Sequence, residues 1–256
     1  MGKGTEMAMP VKNFSGLPFE LRDQQNLAIK RSFRSVAIDL SCEFPPNELA
    51  KLYRMIEAAL PDRTHRIIQF ISAYKEEGAS EIAFETAVIA ARLIGLRVLF
   101  IDTATTLADK RKRKLPGSFA ALETLLLAGG SPYDAIAQAA GTQLYFAMLC
   151  NRGQDGLAPV SLNHIGEALE VLRAHFDLIV VDSQAILTDA FGMALSKLAD
   201  GSVMVVEAER TRAPVASECK RLIENGGGRV LGAVMNRRRL YIPDLLYRMC
   251  YNRVSI

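Results

Sequence analysis

Six short, continuously apolar runs punctuate this chain: Arg66–Ser72, Arg97–Ile101, Leu144–Met148, Leu178–Val181, Val203–Val206 and Val230–Met235. Runs this short and this uninterrupted predict strands buried on both faces. Between them lie segments with helical spacing. Leu49, Leu52, Tyr53, Ile56 and Leu60 precede the first run, Ser80–Ile94 follows it, and Leu162–His175 precedes the fourth. Pro45-Pro46-Asn47 predicts the start of the first helix, with Asn47 as its cap, and Pro61 ends it. Strands alternating with amphipathic helices predict an α/β domain whose mostly parallel sheet carries helices on both faces. Ligands of such sheets sit at the carboxyl ends of the strands, so the residues after each run carry the functional question.

With 256 residues and half of them apolar, the chain can bury one large core. Residues 1–44 mix Gly, Pro and polar residues with a basic cluster at Lys30, Arg31 and Arg34, and are expected to form a partly ordered arm; the domain is expected to span 45–256. The net charge of +3 points to no particular partner. Most of the local asymmetry lies in Lys110–Lys114, a solvated loop or a patch for anionic lipid or an acidic segment. Cys42, Cys150, Cys219 and Cys250 lack zinc or redox spacing, which predicts reduced thiols in a cytosol. No apolar stretch reaches signal or membrane-span length, so no span is expected. His65, His164 and His175 have no ligand-like spacing.

The first run leads into Ser72-Ala73-Tyr74-Lys75-Glu76-Glu77-Gly78-Ala79-Ser80 and then a helix. A phosphate loop reads G-x-x-x-x-G-K-[ST]. Ser72 is taken in place of the first Gly, Gly78 is the second, Ser80 supplies the metal-side hydroxyl, and Ala79 stands where the lysine belongs. Strand, turn and helix start still offer backbone N–H groups to an anion. The cation that meets the outer phosphates is missing; Lys75 can reach back, but Glu76, Glu77 and Glu81 surround the loop with negative charge. A ligand-free strand-to-helix turn has the same local pattern. The second and fourth runs lead to Asp102 and Asp182, and a carboxylate at the end of a hydrophobic strand is a Mg²⁺ holder or a helix cap. The last run leads to Asn236.

In order and spacing these segments resemble the bacterial tyrosine kinase family of capsule and exopolysaccharide systems, a relative of the MinD and ParA ATPases, from about Asn47 to Asn236. Glu48, Lys51 and Arg54 resemble the family's E-x-x-R-x-x-R oligomerisation helix, with Lys for the first Arg. Ser72–Ser80 resembles Walker A, Asp102 the first acid of the D-x-D Walker A′ motif, and Phe176–Asp182 Walker B, with Asp189-Ala190 following at the family's distance. Leu125–Ser131 with Asp134-Ala135-Ile136 is similar to the segment after the switch region, and Asn236 to the asparagine of G-x-V-x-N that reads adenine. The resemblance implies a three-layer P-loop NTPase fold and ATP with Mg²⁺ as cofactor. It implies catalytic roles for Asp102 and Asp182, and metal ligation by Ser80, Asp102 and Asp182. Nucleotide contacts would come from Ser72, Lys75, Gly78, Ala79, Ser80 and Asn236. It also implies a homo-oligomer, no nucleic acid, and a cytoplasmic position at the inner membrane through a polysaccharide copolymerase, the chain-length determinant protein.

The departures redirect that expectation. Ala79 removes the Walker A lysine, Ala104 removes the second acid of Walker A′, and Ser183-Gln184-Ala185 replaces Thr-Pro-Pro. Each lost charged group costs on the order of 10²-fold in rate. The sequence therefore predicts a pseudokinase: a regulatory subunit of exopolysaccharide polymerisation or export, with a vestigial nucleotide site and no required cofactor. An active tyrosine autokinase and a MinD- or ParA-like positioning ATPase are the alternatives. Tyr241, Tyr247 and Tyr251 are candidate phosphoacceptors, or Tyr241 and Tyr247 pack a last helix starting near Pro243.

Overall fold

A computed structural model describes residues 33–62, 64–103, 121–149 and 160–238. From Arg34 onward these belong to one compact unit. In chain order its elements are β1 (Arg34–Val36), α1 (Pro46–Ala59), β2 (Arg66–Ser72), α2 (Ala79–Arg92), β3 (Val98–Asp102), α3 (Leu122–Leu127), β4 (Ala137–Ala139) and β5 (Leu144–Met148). There follow α4 (Leu162–Arg173), β6 (Leu178–Asp182), α5 (Ala190–Ser196), β7 (Gly201–Glu207), α6 (Ala213–Asn225) and β8 (Val230–Asn236). The sheet runs β1-β4-β5-β3-β6-β2-β7-β8. Its described pairings are parallel except β4 with β5.

All six apolar runs are strands, and β2, β3, β5 and β6 are buried along their whole length. Alternate side chains serve opposite faces, because successive residues of a strand point to opposite sides. Ile68 and Phe70 of β2, Phe100 of β3, Phe146 of β5 and Val180 of β6 pack with Tyr53 and Ile56 of α1 and the inner face of α2. That inner face is small: Ala83, Ala87 and Ala90 are fully buried, so α2 sits close against the sheet. Phe84 of α2 meets Phe100 edge-on at 5.7 Å and stacks on Phe146 at 6.3 Å. On the other face Ile71 and Met204 pack with Cys219 and Ile223 of α6 and with Met193 of α5. The result is three layers, each buried Leu, Ile or Phe contributing roughly 1.5–3 kcal/mol. Among the described residues no helix is long and apolar enough to cross a membrane.

Two expectations need correction. Residues 34–44, assigned to the arm, belong to the folded unit. β1 pairs with β4 from Arg34↔Ala137 to Val36↔Ala139, and Ile38, Leu40, Cys42 and Phe44 pack against the main core. Their strict alternation with Asp39, Ser41 and Glu43 was the available signal; a three-residue polar edge strand carries none of its own. The first helix also begins otherwise than expected. Pro45 is its N-cap with no side-chain hydrogen bond, and Pro46 is its first residue, where a missing N–H costs nothing. Asn47 lies inside the first turn.

Candidate functional site

The ends of β2, β3, β6, β7 and β8 converge on the turn between β2 and α2. Ser72 is the last residue of β2, and its Oγ donates to the Tyr74 carbonyl at 2.8 Å. The eight-residue phosphate-loop frame that ends at Ser80 begins at Ala73, so Ala73 rather than Ser72 holds the first-glycine position. Gly78 is the N-cap of α2 at φ +87°. A Cβ there would collide with Asn236 Nδ2 and approach Glu81 Oε2 at 3.3 Å, so only glycine fits. Ala79, the first residue of α2, is a methyl group 5% exposed. Lys75 is exposed at the crest of the turn and lines the neighbouring cavity.

The residues expected to hold a cation lie side by side. Asp102 and Asp182 are register partners on adjacent parallel strands, 0% and 1% exposed. Ser80 Oγ donates to Asp182 Oδ1 at 3.0 Å. Thr103 donates to the Asp182 carbonyl through its N–H at 3.2 Å and its Oγ1 at 2.8 Å, locking the two strand ends together. Hydroxyl and carboxylate oxygens so placed suit a hard divalent cation.

The phosphate half is different. Glu77, expected to ring the loop, is fully buried inside it. Its Oε2 accepts the N–H groups of Ala73 at 2.8 Å and Tyr74 at 3.0 Å, and its Oε1 accepts the Thr211 hydroxyl. Thr211 in turn accepts the Glu207 N–H at 3.2 Å. Two amides of the turn are thus taken by a carboxylate of the same chain. Asn236, the residue similar to the adenine reader, donates from Nδ2 to the Glu77 carbonyl at 3.0 Å. Arg237 Nη1 donates to the Glu76 carbonyl at 2.6 Å and lies 3.5 Å from Glu207 Oε1. Hydrogen bonding from Arg210, then the charge of Arg237, holds Glu207 below the usual carboxylate range. Neither Glu77 as a brace, nor Thr211, nor Arg237 was found from sequence, because Thr211 and Arg237, which follow β7 and β8, meet the turn from more than a hundred residues away.

A cavity of about 550 Å³ opens beside this turn. Asp39, Glu43, Glu76, Glu77, Glu81 and Glu85 line it, against the two cations Lys75 and Arg237. Glu85 accepts the N–H groups of Glu43 at 2.8 Å and Phe44 at 2.9 Å, which pins residues 39–44 to α2 as one wall. A triphosphate would meet the exposed carboxylates of Asp39, Glu43, Glu76 and Glu81 and, at residue 79, a methyl group, so the residues present fit Mg²⁺ better than they fit ATP. A larger cleft, about 690 Å³, lies at the opposite, amino ends of the strands around Leu60, Arg173 and Asp200. There Arg173 pairs with Asp200 at 2.6 Å, and Asp200 also accepts the Ile67 N–H at 2.7 Å, an arrangement that ties the sheet base together.

The segment after Asp182 is anchored by a polar group inside the sheet. Gln69, fully buried in β2, donates to Ser183 Oγ at 2.8 Å and to the Gly192 carbonyl at 2.6 Å, and accepts from Ser202 Oγ at 2.7 Å. Asp189 caps α5 by accepting the Phe191 N–H at 2.9 Å. Glu48, Lys51 and Arg54 stand apart on the outer face of α1: Lys51 pairs with Glu48 at 2.8 Å and Arg54 with Glu57 at 2.7 Å. Ala104, Lys110–Lys114, Tyr241, Tyr247 and Tyr251 lie outside the described residues.

No protein-family model matches the chain. It is 30% identical to tyrosine-protein kinase YwqD of Bacillus subtilis over 193 residues, covering 72% of this chain and 78% of that protein. It is 24% identical to tyrosine-protein kinase CpsD of Streptococcus agalactiae over 184 residues, 68% of this chain and 76% of that one. Among solved structures, the kinase domain of Escherichia coli tyrosine kinase ETK aligns with a TM-score of 0.61 at 17% identity, covering 77% and 78% of the two chains. The cell division ATPase MinD of Pyrococcus furiosus aligns at 0.51 and 18% identity, covering 73% and 80%. These likenesses carry the fold, a three-layer P-loop α/β architecture.

Proposed function

The chain belongs to the bacterial tyrosine kinase family, and from that premise we propose that it is a non-catalytic subunit that regulates polymerisation or export of an exopolysaccharide. The observation that carries this reading is Ala79, a buried methyl group at the start of α2 where a phosphate loop keeps its lysine. The acid excess of the cavity supports it, since four exposed carboxylates against two cations repel a triphosphate that nothing at residue 79 offsets. Ala104 extends the argument at the level of sequence, because the second acid of Walker A′ is absent.

In this reading the chain acts at the cytoplasmic side of an inner membrane, through a chain-length polysaccharide copolymerase. Glu48, Lys51 and Arg54, exposed on α1, are its contacts with further copies of itself. ATP and Mg²⁺ are not required. Ser80, Asp102 and Asp182 would hold the cation, and Ser72, Lys75, Gly78 and Asn236 remain as vestiges of a nucleotide site.

One observation favours a second reading, an active tyrosine autokinase phosphorylating Tyr241, Tyr247 or Tyr251. Ser80, Asp102 and Asp182 are all retained, with Ser80 and Asp182 in direct contact. Incubation of the purified chain with ATP and Mg²⁺, followed by phosphotyrosine detection, separates the two. The regulatory reading expects no signal and no change on Asp182→Ala. Brisk phosphotyrosine formation abolished by Asp182→Ala would establish the kinase instead. Failure to co-purify with any membrane copolymerase, together with normal polymer output after deletion of the gene, would remove the export role.

A further inference from the structure

Phosphate-binding turns are ordinarily shaped around the oxygens they hold. Here several of those roles are filled by the protein. We propose that the β2–α2 turn is a self-braced element, held by Glu77 from within and by Arg237 from without, so that its shape does not depend on a bound nucleotide.

The inner brace is a relay between distant elements. The Glu207 N–H donates to Thr211, the Thr211 hydroxyl donates to Glu77, and the same carboxylate receives the N–H groups of Ala73 and Tyr74. A buried carboxylate with these donors has no reason to leave, because its desolvation is offset only by them. The outer brace is Arg237. Its guanidinium contacts the Glu76 carbonyl at 2.6 Å, and lies 3.5 Å from Glu207 Oε1 and 4.0 Å from Glu81 Oε2. It therefore joins the ends of β7 and β8 to the crest of the turn and to the first turn of α2. A planar fork with several donors can do this where a lysine cannot.

Backbone conformation points the same way. Among the described residues the non-glycine positions with positive φ are Glu76 at 69°, Glu209 at 66° and Arg237 at 54°. Glu76 and Arg237 bond to each other, and Glu209 sits in the turn between Glu207, the last residue of β7, and Thr211. Left-handed side-chain-bearing residues persist only where their surroundings over-determine them. The inference rests on this loop geometry alone, and stands whether or not the chain proves to regulate a polysaccharide system.

Amide hydrogen exchange on the full chain tests it. The amides of Ala73 and Tyr74 are expected to exchange slowly without nucleotide and at an unchanged rate with excess Mg-ATP. Arg237→Ala should speed exchange at Ala73 and Tyr74 by about tenfold while β3 and β6 stay protected, and Arg237→Lys should fall between. Thr211→Val, which removes the hydroxyl but keeps the shape, should speed exchange at Ala73 and Tyr74. The proposal is overturned if the amides of Ala73 and Tyr74 in the wild type exchange as fast as those of an exposed turn, or if Mg-ATP slows them about tenfold. It is equally overturned if Arg237→Ala leaves the turn unchanged or loosens β3 and β6 to the same degree, or if Thr211→Val has no effect there.

Discussion

Asn236 Nδ2 donates to the main-chain oxygen of Glu77 at 3.0 Å, and it does so through the space that a Cβ on residue 78 would fill. The end of β8 and the turn after β2 are therefore fitted to one another with a glycine as the only tolerated residue between them. The side chain that the family resemblance assigns to adenine is bonded to the protein itself.

Gly78→Ala should accordingly be more costly than the same change at Gly95. Both sit at positive φ, +87° and +83°, but nothing lies within 4 Å of a Cβ at Gly95. Strain alone costs on the order of 1 kcal/mol at Gly95, and displacement of Asn236 should bring Gly78→Ala to about 2–3 kcal/mol. Urea denaturation of the two variants makes the comparison; equal losses would mean that the Asn236 contact yields freely.

Gln69→Leu should destabilise the domain by about 2–4 kcal/mol. It leaves the hydroxyls of Ser183 and Ser202 and the Gly192 carbonyl without their buried partner. Gln69 is fully buried, so no water replaces it without repacking. The same denaturation measurement reads this, and a loss under about 0.5 kcal/mol would show that the network contributes specificity without stability.

Ala79→Lys should reintroduce nucleotide dependence. The position is 5% exposed, so the variant without ligand should melt below the wild type, with a cation placed where only an anion can compensate it. Mg-ATP at about 100 times its dissociation constant should then return about 2.7 kcal/mol to the variant. The wild type should show no shift under the same conditions. A comparable rise in wild-type melting temperature would contradict the claim that residue 79 decides nucleotide binding.

Burial, reinforced by the charge of Glu77, pushes the Cys219 thiol up to about 11. The folded state holds that proton longer than the unfolded chain, whose thiol titrates near the reference value of 9.0. Stability from this group is complete below about pH 9 and is lost as pH rises toward about 11. Urea midpoints should fall across that interval, and Cys219→Ser should flatten the fall. Alkylation by iodoacetamide at pH 8 should likewise be far slower for Cys219 in the native chain than in urea.

Lys51→Ala and Arg54→Glu should leave the melting temperature nearly unchanged, since the exposed pairs Lys51–Glu48 and Arg54–Glu57 are worth under about 1 kcal/mol each. If α1 is the contact between copies, both variants should sediment as smaller species than the wild type. Unchanged sedimentation would assign oligomerisation to another surface.

The amino-acid sequence by itself determined the architecture. Six apolar runs between helical segments pointed to a mostly parallel sheet covered on both faces, and every one of them is a strand, although β8, at the sheet edge, is largely exposed rather than buried. It also located the turn at 72–80, one residue wider than the phosphate-loop frame, and the two strand-end carboxylates Asp102 and Asp182, because short-range pattern is enough to mark a strand end. Only the tertiary structure decided what the turn is made of. Glu77 looked like a surface charge until Thr211 and the amides of Ala73 and Tyr74 closed around it. Nothing short-range marked Arg237 before β8 brought it to the Glu76 carbonyl. Residues 38–44 counted as part of the arm until Glu85 received two of their N–H groups. Local periodicity records which side chains leave water. It carries no record of which polar groups meet once they have left, because those meetings depend on strand order across the sheet.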